Sequence, residues 1–260
     1  MSNLPPATVP PPQTCRYCGS ALVPGYYFCR VCATPHSNVE LMLPRQPPPY
    51  LSEGKLVAAR APHVAALFWT YFGVVVGLSL ICYLLFEKKT EYSLLLISAV
   101  LGIVTCVFAT MYWPSLSVQF KRFGFNQPAA WIGLAGLVPL LGVNYLYHEI
   151  VMKALGVRVP IETEPLSFPA ILMFFCVLPA VTEEIAFRGL VQHWLQVALR
   201  PARAIIIAAA LFTALHFSIL SAPYLLAVGM LLGWTKWKTG SLYPSMLIHL
   251  LHNLVVVALF

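Results

Sequence analysis

Long apolar runs without a single charge dominate the chain from residue 64 onward. The first three cover 23, 22 and 19 residues and lie at Val64–Phe86, Tyr92–Trp113 and Ala129–Tyr147. A helix that crosses a bilayer needs about 20 mainly apolar residues. The pattern therefore predicts three transmembrane helices in this part of the chain.

Four further apolar segments follow, and the first of them differs from the others because it contains charges. The four are Leu166–Leu199, Ala204–Leu220, the short Tyr224–Trp234, and Leu242–Phe260. The first carries Glu183, Glu184 and Arg188, and it is stopped by Pro201, since proline breaks a helix interior. We therefore expect an all-α polytopic membrane protein with about seven transmembrane helices.

The first 50 residues have a different composition and hold 11 of the 22 prolines. Proline runs cannot build a helix interior and behave as extended, semi-rigid spacers. Between these runs lie two CxxC pairs separated by ten residues, formed by Cys15, Cys18, Cys29 and Cys32. This spacing is typical of a tetrahedral metal site with four thiolate ligands.

The metal expected at these cysteines is zinc, with rubredoxin-like iron as the alternative, because both ions accept this geometry. A disulfide-bonded segment would need an oxidising compartment. The protein fills all four ligand positions, so we expect a structural or recognition role rather than catalysis. The segment resembles a small zinc ribbon. The expected organisation is a disordered Pro-rich tail at 1–13, a zinc ribbon at 14–36, a Pro-rich linker at 37–60 and a multi-pass membrane domain at 61–260.

Composition excludes a water-soluble globular protein. The chain is 59% hydrophobic and only 10% charged, whereas soluble domains carry about 25% charged residues. All nine acidic residues are glutamates, which excludes intramembrane catalysis by aspartate. No apolar signal region precedes the cysteine pairs, so we expect the first transmembrane helix to direct insertion.

The distribution of basic residues predicts an orientation in the membrane. With seven spans and a cytoplasmic N-terminus, eleven basic residues fall on the inner side and four, Lys88, Lys89, Lys153 and Arg158, on the outer side. This follows the positive-inside rule. We therefore expect a multi-pass protein of the cell membrane whose N-terminus and ribbon are cytoplasmic. We expect no nucleic-acid partner, because the basic excess is loop charge.

The charges inside the fourth apolar segment require an explanation. Even on the lenient insertion scale, a charge at the bilayer centre costs about 2.5–3.5 kcal/mol. Glu184 and Arg188 are four residues apart, so they share one helix face and can form an ion pair. Glu183 lies about 100° further round the helix and lacks that partner. A cluster that lies at the membrane interface is the structural alternative.

Two other apolar segments also carry polar side chains. His216 lies in the fifth, and His249 and Asn253 lie four residues apart on one face of the seventh. A single histidine in an apolar helix is more often a core residue than a catalyst. Polar groups on three separate helices are normally directed at a shared interior or a water-filled cavity, so we expect them to converge.

The order of these motifs along the chain resembles that of a known family. EExxxR at 183–188, FxxxH at 212–216 and HxxxN at 249–253 occur on successive apolar helices, with the local texture EEIAFRG and GWTKWKTGSLYP. This order resembles the CPBP intramembrane proteases, which include the eukaryotic CAAX prenyl endopeptidase. The resemblance covers residues 165–257 and implies a four-helix catalytic core.

The resemblance also implies roles for individual residues. Glu183 would be the general base that activates water, and His216 would position that water. His249 and Asn253 would donate hydrogen bonds to the developing oxyanion. These roles agree with general chemistry, because burial raises the pKa of a carboxylate toward the range a base needs, and donors aimed at an oxyanion lower the barrier.

Two further residues would support the site, and a metal-dependent mechanism is the alternative. Glu184 and Arg188 would orient the catalytic groups. Glu183, His216 and His249 could instead bind zinc, because one Glu and two His are a known catalytic ligand set. Direct activation of water by glutamate is the favoured interpretation.

The sequence therefore predicts an intramembrane endopeptidase whose substrate is a peptide or a membrane protein. The lipid bilayer is an expected partner, and a cytosolic protein bound through the ribbon is a further candidate. The alternative is a non-catalytic scaffold or immunity-type protein that uses the same polar cluster to bind an ion or a partner, since a fold does not by itself establish turnover.

Overall fold

The computed structural model describes residue 14 and residues 62–85, 91–156, 167–196 and 199–259. The secondary structure elements of the four long ranges are eight helices: α1 (Pro62–Leu85), α2 (Glu91–Met111), α3 (Trp113–Lys121), α4 (Pro128–Leu155), α5 (Phe168–Gln196), α6 (Pro201–Ala214), α7 (Ala222–Thr239) and α8 (Tyr243–Leu259). The predicted metal ligands Cys15, Cys18, Cys29 and Cys32 lie outside the described residues, as do the tail and the linker.

Each of the seven apolar runs overlaps one of these helices, and the all-helical character of the chain is confirmed for the described residues. Two stretches, Pro128–Tyr147 and Phe168–Gln196, are long and apolar enough to cross a bilayer. Four others, at 68–82, 96–111, 201–214 and 243–259, are apolar but shorter. The number of transmembrane spans stays a prediction.

Two helices differ from what the apolar pattern alone indicated. α3 is an additional helix, which begins with Pro114 in its first turn and buries Leu116 and Gln119. α7 continues beyond the predicted end at Trp234 to Thr239, where Gly240 ends it in the left-handed conformation at φ 65°. The apolar pattern did not predict this continuation because the last turn contains lysines. Cations are nevertheless favourable at a helix C-terminus.

The helix bundle has apolar side chains outside and polar side chains inside. Leu84, Val138 and Ile150 are between 66% and 69% exposed. Nine charged, amide or imidazole side chains among the described residues are at most 5% exposed: Gln119, Asn144, Glu184, Arg188, Gln192, His193, Gln196, Lys236 and His249. A water-soluble protein has the opposite arrangement. The exposed apolar surface suits a lipid environment, in which polar groups are directed at the protein interior.

Helix α5 is wound irregularly around its centre. Its stretches Leu172–Val177 and Glu184–Val191 are π-helical. π-helical turns are rare and frequently occur at functional sites. The second stretch contains Gly189, whose carbonyl oxygen accepts a hydrogen bond from Gln119 Nε2 at 3.0 Å. This bond ties α3 to the part of α5 that carries the acidic pair.

Candidate active site

A chain of hydrogen bonds joins α5 to α8 at the centre of the bundle. Glu184 Oε1 accepts hydrogen bonds from Arg188 Nη1 at 2.6 Å and from His249 Nδ1 at 2.9 Å. The Glu184–Arg188 contact is the ion pair that the i,i+4 spacing predicted. Because Nδ1 of His249 donates to a carboxylate, the ring is held in one orientation and its Nε2 faces away from Glu184.

Glu183 occupies a different environment from its neighbour. Its side chain is 33% exposed, and its Oε2 lies 3.8 Å from Nε2 of His249. That distance is too long for a direct hydrogen bond, but one water can contact both atoms. The two adjacent acids therefore differ: Glu184 is held in a buried ion pair, and Glu183 faces open space.

His216 lies beside the same open space, two residues after the end of α6. Its Nδ1 donates to the carbonyl oxygen of Phe212 at 2.8 Å, which leaves Nε2 able to accept a hydrogen bond. The Phe212 ring links the two imidazoles, with its centroid 4.6 Å from that of His216 and 6.0 Å from that of His249. The polar side chains of the three helices therefore converge, as the sequence predicted.

The positive charge of Arg188 is satisfied on three sides. Besides its bond to Glu184, the guanidinium lies 4.7 Å from the Phe212 ring centroid, and Nη2 donates to the carbonyl oxygen of Gly229 at 3.1 Å. A cation above an aromatic ring is stabilised by the ring quadrupole. Phe212 and Gly229 therefore help to hold the acidic pair, a role that the sequence reasoning did not assign to either.

A pair of glycines on α7 lets this helix pack closely against its neighbours. Gln192, one turn after Arg188, donates to the carbonyl oxygen of Gly233 at 3.0 Å, one turn after Gly229. Two donors on α5 thus match two carbonyls on α7. The spacing of the two glycines is the GxxxG pattern that lets membrane helices approach closely. A Cβ atom at Gly229 would lie 3.0 Å from the Cβ of Ala209 on α6.

We expect Gly229→Ala to lower the free energy of unfolding by about 1–3 kcal/mol, because an added methyl group overpacks the contact between α6 and α7. The displaced backbone would also move the carbonyl oxygen that Arg188 binds. Unfolding titrations in mixed micelles measure the first effect, and cleavage assays measure the second.

Gly142→Ala is the matched control for this prediction, because no heavy atom lies within 4 Å of a Cβ built at Gly142 in α4. Alanine is the better helix former, so the control should be as stable as the wild type or slightly more so. Equal stability of the Gly229 and Gly142 variants would contradict the proposed close packing.

Asn253 lies one helical turn beyond His249, outside the hydrogen-bonded chain. Its Oδ1 accepts a hydrogen bond from Nδ1 of the buried His252 at 2.8 Å. Among the described residues the structure shows no hydrogen bond from Asn253 to Glu183, His216 or His249. Its amide nitrogen is therefore not engaged by them, and its predicted role at an oxyanion stays a prediction.

The open space beside Glu183 is a cavity of about 290 Å³ with mainly apolar walls. Glu183 and His216 line one side of it, and α1 and α2 form the other. The polar residues on that second side are Ser79, Ser98 and a hydroxyl pair, in which Tyr71 Oη and Thr105 Oγ1 are 3.0 Å apart. Both helices lie outside the part of the chain that carries the motifs, so sequence reasoning missed this wall.

The described residues contain no group of three or more His, Cys, Asp or Glu placed to hold a metal ion. Glu183, His216 and His249, the alternative zinc ligands, do not form such a group. The arrangement instead provides an accessible carboxylate, a free imidazole nitrogen on each side of the Phe212 ring, and a buried ion pair behind them.

The described residues therefore form a helix bundle with an apolar exterior and a carboxylate–imidazole site, which has the groups that general acid–base chemistry uses. Residues 165–255, which contain α5 to α8, match the family model described as type II CAAX prenyl endopeptidase Rce1-like. The matched residues are those that carry the EExxxR, FxxxH and HxxxN motifs, and the match supports their resemblance to the CPBP proteases. No curated protein and no solved structure matches the chain.

Proposed function

We propose that the protein is an intramembrane endopeptidase that hydrolyses peptide bonds with a water molecule activated by Glu183. The observation that carries this proposal is the position of Glu183: Oε2 lies 3.8 Å from His249 Nε2, on a cavity that His216 also lines. Family membership of residues 165–255 supports a protease.

The two glutamates would have separate tasks because their surroundings differ. Glu184 is buried and already bonded to Arg188 and His249, so it would position the site rather than take up a proton. Glu183 would accept a proton from a water that His216 Nε2 also binds. The oxygen of this water attacks the carbonyl carbon of the scissile bond, and the proton then moves to the leaving amine.

His249 and Asn253 would stabilise the negative oxygen of the tetrahedral intermediate. When His249 is doubly protonated, Nε2–H can donate to this oxygen while the bond from Nδ1 to Glu184 Oε1 stabilises the imidazolium. The bond to His252 uses the amide oxygen of Asn253, so the amide N–H groups of Asn253 could donate as well. Donors placed in advance in a water-poor site lower the barrier strongly.

The rest of the chain would serve this reaction in a membrane. We propose a multi-pass protein with a cytoplasmic N-terminus, on the evidence of its exposed apolar helices and the positive-inside rule. We further propose that Cys15, Cys18, Cys29 and Cys32 bind a structural zinc ion in a cytosolic ribbon. That ribbon would recruit a protein partner or the substrate.

The proposal predicts metal-independent cleavage. Full-length protein purified in detergent should cleave members of a peptide library, and a strong chelator should leave the rate unchanged, because Glu183 activates water directly. Mass spectrometry of the products identifies the cleaved bonds.

The chelator also removes metal from the predicted ribbon, so a second protein is needed. The variant Cys15→Ser/Cys18→Ser cannot hold that metal, and its activity should be equally insensitive to chelator. Loss of activity on chelation in both proteins would contradict direct activation and indicate a catalytic metal. Loss in the wild type alone would assign the effect to the ribbon.

A further inference from the structure

The cavity beside Glu183 has a buried end and an exposed end. Tyr71, Thr105 and Ala186 line its inner part and are at most 5% exposed. Ser98, His216 and Phe217, which also line it, are exposed. A substrate therefore reaches the buried part from the side where Ser98 lies.

This exposed side coincides with one end of the helix bundle. On α1 the lining runs from Tyr71 to Cys82, a distance of about 16 Å at 1.5 Å per residue, and α1 ends at Leu85. On α2 it begins at Ile97, near the start of that helix. We call this end of the bundle, where α1 ends and α2 begins, the cavity end.

Two other elements reach the cavity from the same end. On α5 the lining residues Leu178, Pro179 and Thr182 precede Glu183. They therefore lie between Glu183 and the start of that helix. His216 and Phe217 follow the last residue of α6. The turn after them is held by Tyr147, whose hydroxyl donates to the Leu220 carbonyl oxygen at 2.7 Å.

The opposite end of the bundle, the basic end, carries six basic residues of the described chain: Lys121, Arg122, Arg200, Arg203, Lys236 and Lys238. Hydrogen bonds bring their segments together, since Ser241 Oγ donates to the Arg122 carbonyl oxygen at 2.6 Å. Gln192, near the end of α5, similarly binds Gly233 on α7. None of the four glutamates in the described residues lies at this end.

The two ends differ in net charge along the sequence as well. Residues 86–91 lie between α1 and the start of α2 in the sequence, and residues 149–166 run from the last turns of α4 toward α5. Together they carry five glutamates and four basic residues. Residues 1–61, which precede α1 in the sequence, contain five basic residues and two glutamates. Because positive loops stay in the cytoplasm, the positive-inside rule predicts that the basic end is cytoplasmic.

We propose that the cavity opens on the extracytoplasmic side of the membrane, and that the substrate is a secreted or membrane-anchored peptide segment which reaches Glu183 from that side. This inference rests on the proposed function. It differs from the expectation raised by a cytosolic prenylated substrate, because such a substrate would meet the basic end.

The walls of the cavity indicate the character of this segment. Apolar side chains such as Val75, Leu101 and Phe187 form most of its surface, so apolar substrate side chains fit there. An extended peptide in such a medium has main-chain groups that need partners. The Tyr71–Thr105 pair has two hydroxyl hydrogens, and their mutual bond uses one, so the other can donate to a substrate carbonyl.

Cysteine labelling in intact cells tests the sidedness independently of activity. Ile219→Cys places a thiol at a position that is 91% exposed at the cavity end, and Lys238→Cys places one at the basic end. A membrane-impermeant maleimide should label the first in intact cells and the second only after permeabilisation. The wild type, which has its own cysteines, gives the background.

The activity test uses sealed vesicles that contain the full-length protein. The probe is a soluble, membrane-impermeant fluorogenic peptide that the protein cleaves in detergent. Right-side-out vesicles should cleave it without detergent, whereas inside-out vesicles should show a loss of cleavage that detergent reverses.

The outcomes separate the two proposals. If intact inside-out vesicles cleave the peptide and right-side-out vesicles cleave it only after detergent is added, the extracytoplasmic opening is wrong. The proposed protease would be unaffected by that result. Absence of cleavage in detergent would overturn the proposed protease, and the labelling pattern would then decide the sidedness alone. Labelling of Lys238→Cys but not Ile219→Cys in intact cells would overturn the inference.

Discussion

Replacing Glu183 with Gln is expected to remove nearly all peptide cleavage while the protein stays folded. The substitution keeps the shape of the side chain but removes the carboxylate that accepts the proton of the attacking water. Loss of a general base costs a factor of about 100 to 10,000 in rate, so we expect a fall of about 1,000-fold in kcat/KM. Initial rates with a fluorogenic peptide measure it.

Stability should change little in this variant, because Glu183 is 33% exposed and its distance of 3.8 Å to His249 is too long for a hydrogen bond. Glu149→Gln is the matched control, since it makes the same exchange on α4, away from the cavity. Its activity should equal that of the wild type. If Glu183→Gln cleaves at the wild-type rate, the acid is not the base and the proposed mechanism fails.

The parts of the site that depend on local spacing could be predicted from the sequence. Glu184 and Arg188 are four residues apart in one helix, and the ion pair follows from helix geometry alone. The meeting of Glu183 with His249 required a further premise, namely that polar groups in lipid are directed at a common interior. The sequence supports that premise because apolar residues surround each motif.

The parts that depend on contacts between distant helices could not be predicted in the same way. Nothing in the pattern around Tyr71 or Thr105 distinguishes them from interface residues of an ordinary span. Their hydroxyls meet only because α1 packs beside α2. The close approach of α7 to α6 and α5 had a visible signal in the GxxxG spacing of Gly229 and Gly233, but this spacing does not reveal which helices it faces.

The sequence also did not show that the adjacent residues Glu183 and Glu184 would have different surroundings. Glu183 ends an α-helical stretch of α5, and Glu184 begins the π-helical one. Glu184 is thereby completely buried against α8, and Glu183 stays on the cavity wall. Substitution at these two neighbours should therefore have different consequences, one for catalysis alone and one for folding as well.

Breaking the ion pair behind the site is expected to destabilise the whole bundle. Glu184→Leu would leave the guanidinium of Arg188 buried without its carboxylate, and Arg188→Met would leave that carboxylate buried without its cation. Removing one member of a buried ion pair costs about 3–5 kcal/mol. Unfolding titrations should show this loss for each single variant but not for Glu183→Gln.

The double variant Glu184→Leu/Arg188→Met separates stability from catalysis. It buries no unpaired charge, and replacing a buried ion pair by apolar residues of similar volume is often neutral, so most of the lost stability should return. Cleavage should not return, because His249 Nδ1 has lost the acceptor that orients its ring. A double variant as unstable as either single one would show that the two charges are not coupled. A stable and active double variant would show that His249 is oriented by something other than Glu184.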